Sequence, residues 1–277
     1  MKSIKRELCT LLRRKDVLRA ALCVGKIEDP SLKVGEYADR VLGLASGVWH
    51  KIGKYKEDYV LQIEFLNRAL FDEFGLMGRG ERAKNVIDDP GRFYLHHVLE
   101  KKLGSPLSLS ILYCALCQQL GIPYECIALP SGYFVRILDP VSDFFVEPYD
   151  SGKILSQDSF QKKFKLVAQS HRILSTSLYE RVGVGSLVGR LVQQLKHIYI
   201  LKGNALSALR AVELFAVIYP DSKEISRDRG ILYCEMEYFS KAVENLERYL
   251  AKNPQATDIK DIQKLARMLK GYREVVN

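Results

Sequence analysis

The amino-acid sequence predicts an α+β fold, and three observations carry the prediction. Apolar residues recur at three- and four-residue spacings through the first third of the chain. The spacing shortens to alternation just after Pro123, and a helical pattern then returns with an internal repeat of 34 residues. The expected architecture is a helical N-terminal region over residues 1–80, a core with a small antiparallel sheet over 81–175, and helical hairpins over 176–277. At 277 residues the chain is long enough to bury a core without disulfides or a structural metal.

The elements follow in order. Leu8, Leu11 and Leu12, then Tyr37, Val41, Leu42, Leu44 and Trp49, then Leu61, Ile63, Leu66, Leu70 and Phe74 trace helical stripes up to Gly75. The Gly78–Arg82 run and Asp88-Asp89-Pro90-Gly91 read as breaks. A helix from Phe93 to Lys102 is expected to end at Gly104, because glycine tolerates the left-handed conformation that stops a helix. The next starts with Pro106, whose missing N–H costs nothing in a first turn, and runs to Gly121. Tyr124–Leu129, Tyr133–Leu138 and Phe144–Val146 read as strands, with a register that brings Tyr133 and Glu147 opposite or diagonal to each other. Gly183–Gly189 reads as a flexible junction, since it lacks both the spacing and the lysine of a phosphate loop.

In the last third, a shift of 34 places Tyr199 on Tyr233, Ala208 on Ala242, Val212 on Leu246, Phe215 on Tyr249 and Pro220 on Pro254. This is the tetratricopeptide pattern, in which a small alanine lets two antiparallel helices approach and a proline ends the second. Two repeats are expected, at 189–222 and 223–256, with a capping helix over Thr257–Val275.

Composition narrows the function. The chain carries 42 Lys and Arg against 33 Asp and Glu, a formal charge of +9, and residues 1–20 hold seven of the bases against two acids. That surplus keeps a protein soluble and permits a weak contact with an anionic surface through residues 1–20. No aromatic stacking motif accompanies it, so no specific nucleic-acid partner is expected. No run approaches the length of a transmembrane segment, and the six cysteines sit mostly in apolar periodic stretches, as reduced thiols do. A cytoplasmic protein is expected.

Metal and cofactor signals are weak. Cys114 and Cys117 form a CxxC inside a predicted helix, with no second pair to complete a zinc site. His96-His97, His50, His171 and His197 lack an i, i+4 partner, and they read as ordinary core or surface histidines. Neither a metal nor a cofactor is expected.

One constellation suggests chemistry: the helix start at Ser105–Ser110, followed by three strands. A helix N-terminus activates a thiol or stabilises an oxyanion, and neighbouring strands then supply a histidine and a carboxylate. Leu66-Asn67-Arg68-Ala69-Leu70-Phe71, Gly104–Ser110, Gly132-Tyr133-Phe134-Val135-Arg136, Glu147-Pro148-Tyr149 and Arg227-Asp228-Arg229-Gly230 together resemble the landmarks of the SirB-type transglutaminase-like family. The resemblance runs from Asp16 to Met268 and implies a transglutaminase-like core joined to C-terminal tetratricopeptide repeats.

The resemblance also implies where a triad would stand. The cysteine position of transglutaminases proper falls on Pro106, with Ser105, Ser108 and Ser110 as the nearest hydroxyls; the family's SirB-type members lack that cysteine. Tyr133 stands where a histidine is usual and Glu147 where an aspartate is. A tyrosine with an ordinary pKa of about 10 is no general base at neutral pH, and a serine without a base is a poor nucleophile.

The expected function is therefore that of a noncatalytic interaction or regulatory protein, a transglutaminase-like pseudoenzyme, with Tyr133 and Glu147 hydrogen-bonded across the old groove. Its partner is expected to be another protein or peptide, held by the repeats and the groove, with Ser105, Ser110, Arg136, Tyr199 and Tyr233 as candidate contacts. The alternative is a specialised acyl-transfer or amide-hydrolysing enzyme using Ser108 or Cys114.

Overall fold

The structure, a computed structural model, describes residues 1–53, 55, 57–78, 89–170 and 180–276. The readings that involve residues 79–82, Asp88 and His171 lie outside the described residues. The chain forms two compact units: Thr10–Leu191, and Met1–Cys9 together with Val192–Asn277. The expected partition differs from these units, because the first nine residues group with the repeat region and the rest of the N-terminal region groups with the sheet.

Within Thr10–Leu191, helix α2 (Val17–Val24) is capped by Asp16, whose side chain accepts from the Arg19 amide at 2.9 Å. Seven of its eight residues are buried. Ala20 and Ala21 keep it narrow where α3 (Val34–Ile52) and α6 (Pro106–Leu120) pack on it. α3 buries Val34, Ala38, Val41, Ala45, Val48 and Ile52, a regular three-and-four stripe. The stripe expected from Tyr37, Val41, Leu42, Leu44 and Trp49 shares only Val41 with it. The small Ala38 and Ala45 form the seam, whereas the amphipathic Trp49 stays half exposed on the outside. α4 (Tyr59–Asn67) runs straight into a wide π turn at Arg68–Glu73.

α5 (Leu95–Lys101) stops one residue before Lys102, which takes the left-handed conformation (φ 60°), so Gly104 is not the stop residue. Gly104 instead donates its amide to the Met77 carbonyl at 3.0 Å, where a Cβ would run into the Leu109 side chain. α6 is buried almost all round, because α2, α3 and the sheet all pack against it.

The sheet has five antiparallel strands in the order β4-β3-β2-β1-β5: β1 Tyr124–Leu129, β2 Gly132–Ile137, β3 Phe144–Glu147, β4 Lys153–Leu155 and β5 Glu180–Arg181. The two edge strands escape a reading of the sequence because three and two residues show no period. Val135 pairs with Val146, as the expected register requires. Alternation sends Cys126, Val135 and Val146 toward α6, and Ile127, Phe134 and Phe145 to the opposite face. On that opposite face α7 (Gln157–Ser170) inserts Phe160, stacked on Phe145 at 3.7 Å and edge-on to Phe134 at 5.3 Å.

The second unit is helical. α8 (Val184–Leu201) contains Gly185 and Gly189, so the stretch expected to be a flexible junction is a helix start. α9 (Ala205–Ile218) and α10 (Glu224–Glu235) pack together, α10 packs on α11 (Phe239–Lys252), and α11 packs on α12 (Ile259–Val276). Ala208 and Ala242 are fully buried at their helix contacts. A Cβ on Gly230 would run into the Leu246 side chain, so glycine is what allows α10 and α11 to close. The first helix, α1 (Lys2–Arg13), buries Ile4 and Leu8, and its Lys5 pairs with Glu213 of α9. Among the described residues, no helix is long and apolar enough to cross a membrane.

Candidate functional site

The α6 start is a capping device. Ser105 is the N-cap: its Oγ accepts from the Ser108 amide at 3.1 Å, while the Ser108 Oγ accepts from the Ser105 amide at 2.9 Å. The Ser108 hydroxyl donates to the Arg92 carbonyl at 2.7 Å. Ser105, Ser108 and Ser110 are all buried, and Pro106, at the family's cysteine position, offers no reactive group. The Ser105 and Ser108 hydroxyls are thus engaged within the helix start, whereas the buried Ser110 hydroxyl has no hydrogen-bond partner among the described residues. Ser108→Ala is expected to cost about 1–2 kcal/mol through the lost cap, measured as a lower urea midpoint.

The other two triad positions do not meet. Tyr133 lies on the sheet face of Val135, toward α6, and hydrogen-bonds Arg190, which is itself paired with Glu180. Glu147 lies on the face of Phe145 and pairs with Lys163 of α7. The expected Tyr133–Glu147 hydrogen bond is therefore absent, because a one-residue offset in register sends neighbouring side chains to opposite faces. Burial pushes the Tyr133 phenol above its ordinary value, with the Arg190 charge opposing, so it is further from acting as a base.

Arg136 is a tie between strands. Its Nε donates to Asp143 at 2.9 Å and its Nη1 to Glu125 at 3.3 Å, and Glu125 also pairs with Arg181 at 2.8 Å. Arg136 and Asp143 border a cavity of about 230 Å³ floored by Phe145, Phe160 and Phe164. That cavity lies on the α7 side of the sheet, away from the α6 start.

None of the six cysteines is in a disulfide. Cys114 is fully buried and hydrogen-bonded to Cys126, and burial pushes its thiol well above the ordinary value; burial pushes Cys117 up as well. The apolar CxxC is part of the α6 core.

A second cluster was not legible in the sequence. His96 and His97, in α5, meet Glu28, which follows the turn at Gly25–Ile27. The Glu28 carboxylate lies 2.8 Å from His97 Nε2 and 3.8 Å from His96 Nε2. His96 is 5% exposed, and burial together with the neighbouring His97 lowers its pKa to about 4. The histidines have no i, i+4 partner in the sequence, and this carboxylate comes from 68 residues upstream of His96.

In the repeats, Tyr199 is buried, as a packing residue is. Tyr233 is partly covered; it meets the half-exposed Tyr238 edge-on, and Lys241 lies 5.6 and 5.2 Å from the two rings. Arg227-Asp228-Arg229-Gly230 ties four helices or their approaches together. Arg227 reaches Asp258 ahead of α12, Asp228 pairs with Lys196 of α8 at 2.5 Å, Arg229 pairs with Glu213 of α9 at 2.6 Å, and Gly230 touches Leu246 of α11.

A helix start packed against an antiparallel sheet, joined to helical hairpins of 34-residue period, defines the class, and residues 36–193 match the transglutaminase-like superfamily. The chain belongs to that superfamily. Residues 195–267 match the tetratricopeptide repeat. A UPF0162 protein of Xylella fastidiosa is 25% identical over 88% of this chain and 86% of its own length, and one of Vibrio cholerae is 24% identical over 72% and 73%. These relatives are SirB-type proteins, in agreement with the landmarks read from the sequence. Human F-box only protein 21 is 25% identical over 62% of this chain, a match that spans 27% of that protein. No solved structure matches the chain.

Proposed function

We propose that this chain is a noncatalytic interaction protein, a transglutaminase-like pseudoenzyme that holds a protein or peptide through its tetratricopeptide repeats and acts in the cytoplasm. One observation carries the reading: Ser108, Tyr133, Glu147 and Cys114 are each held by other partners and do not meet. Ser108 caps a helix inside the core, Tyr133 and Glu147 face opposite sides of the sheet with partners of their own, and the Cys114 thiol is buried against Cys126. The partly covered Tyr233, the exposed Tyr238 and Lys241 supply an amphipathic patch of the kind that anchors a peptide. The buried free thiols suit a reducing compartment.

The test is reactive labelling of the native protein with iodoacetamide and a fluorophosphonate over pH 6 to 9, read by mass spectrometry. Cys114 and Cys117 are expected to label slowly throughout, more slowly than the half-buried Cys9 and Cys234, and no serine is expected to react. Rapid labelling of Cys114 or Ser108 would reinstate the acyl-transfer or amide-hydrolysing reading and name its nucleophile.

A further inference from the structure

We propose that Glu28, His96 and His97 form a binding site for a divalent transition-metal ion of the zinc type, held by the two imidazole Nε2 atoms and one carboxylate oxygen. The three candidate donor atoms lie within 4.8 Å of one another, and this is the only such group of histidine, cysteine and acidic side chains among the described residues. Zinc bound at about 2.0–2.2 Å to nitrogen and oxygen sets neighbouring tetrahedral ligands about 3.4 Å apart. The observed 2.8 Å and 3.8 Å from Glu28 to the two rings bracket that separation, so the site closes on an ion by shifts of under about 1 Å.

The surroundings favour a metal over a plain ion pair. At 3.8 Å the His96 Nε2 is beyond hydrogen-bond reach of the carboxylate that His97 already engages, and a single ion satisfies both rings and the oxygen together. The His96 ring is held in place. A Cβ on Gly25 would lie 2.7 Å from its Nδ1, and Tyr37 and Tyr94 pack against the ring at 5.8 and 5.4 Å.

Behind His97, its Nδ1 lies 3.9 Å from the Glu100 carboxylate, beyond hydrogen-bond reach, and Glu100 accepts from the Tyr37 hydroxyl. The Glu28 side chain is 45% exposed, which gives an ion a path in and leaves coordination positions open to water. Two imidazoles and one carboxylate match zinc and cobalt better than calcium or magnesium, which prefer all-oxygen sites.

The experiment uses the full chain, stripped with a chelator, desalted and titrated with Co2+ and then Zn2+. One Co2+ per chain is expected, with visible d–d bands and no thiolate charge-transfer band, and Zn2+ is expected to displace it. Glu28→Gln, at a half-exposed position, is expected to weaken binding tenfold or more with an unchanged circular-dichroism spectrum; His97→Gln gives the same reading if the first variant alters the fold. Absence of stoichiometric binding, affinity unchanged in both ligand variants, or a thiolate band from the cysteines would each overturn the site.

Discussion

Asp228→Ala is expected to destabilise the repeat hairpins by about 3–5 kcal/mol, the largest loss from a single change in this protein. Asp228 and Lys196 are each 8% exposed, and their 2.5 Å contact joins α10 to α8. Asp228 also accepts from Arg227 Nε and Nη2 at 3.2 and 3.1 Å. Removing the carboxylate leaves the Lys196 ammonium buried, with the half-exposed Glu224 carboxylate at 3.8 Å and the Phe215 ring at 5.5 Å. The cost arises mainly from that uncompensated charge. Replacing both partners, as Lys196→Met with Asp228→Leu, is therefore expected to restore much of the stability. Urea unfolding of the two singles and the double gives the coupling directly. A loss under about 1 kcal/mol for Asp228→Ala would mean that solvent screens the pair.

Asn67→Ala is expected to cost about 2–4 kcal/mol in the other unit, through two hydrogen bonds at once. Asn67 ends α4, where its Nδ2 donates to the Gly152 carbonyl at 2.7 Å and its Oδ1 accepts from the Tyr113 hydroxyl at 2.8 Å. Tyr113 lies on α6 and is fully buried, so the variant leaves a hydroxyl with no access to water. Gly152 stands at φ 72°, and a Cβ there would overlap Asn67 and Phe71. Gly152→Val is accordingly expected to abolish the clamp by strain and clash together. Paired denaturation curves of Asn67→Ala and Asn67→Asp separate the two bonds, since aspartate keeps the acceptor for Tyr113 and loses the donor to Gly152. Equal stability of wild type and Asn67→Ala would show that the clamp carries no load.

Both variants change the meaning of landmarks. Asn67 and Arg227-Asp228-Arg229-Gly230 are among the residues by which the sequence resembles its family, and each tie they make joins elements distant in the chain. They hold the fold together, whereas the positions expected to carry chemistry are dispersed. Ser108 was legible as a hydroxyl at a helix start, but only its bond from the Ser105 amide shows it to be half of a capping box. Tyr133 and Glu147 were legible as neighbours on adjoining strands. The register that pairs Val135 with Val146 places Glu147 across from Phe134, so Tyr133 and Glu147 are one position apart and alternation sends them to opposite faces.

The sequence by itself determined the α+β class, the two repeats with their alanines and prolines, the strand register near Val135 and Val146, and the burial of the CxxC. These follow from periodicities of 2, 3.6 and 34 residues, which are local and accumulate over many positions. Only the tertiary structure decided which faces the side chains take, which helices the charged residues join, and that Glu28 meets His96 and His97. Those facts depend on single contacts between residues far apart in the chain. No periodic signal records such contacts, because they are set by how whole elements pack and not by the pattern within any one of them.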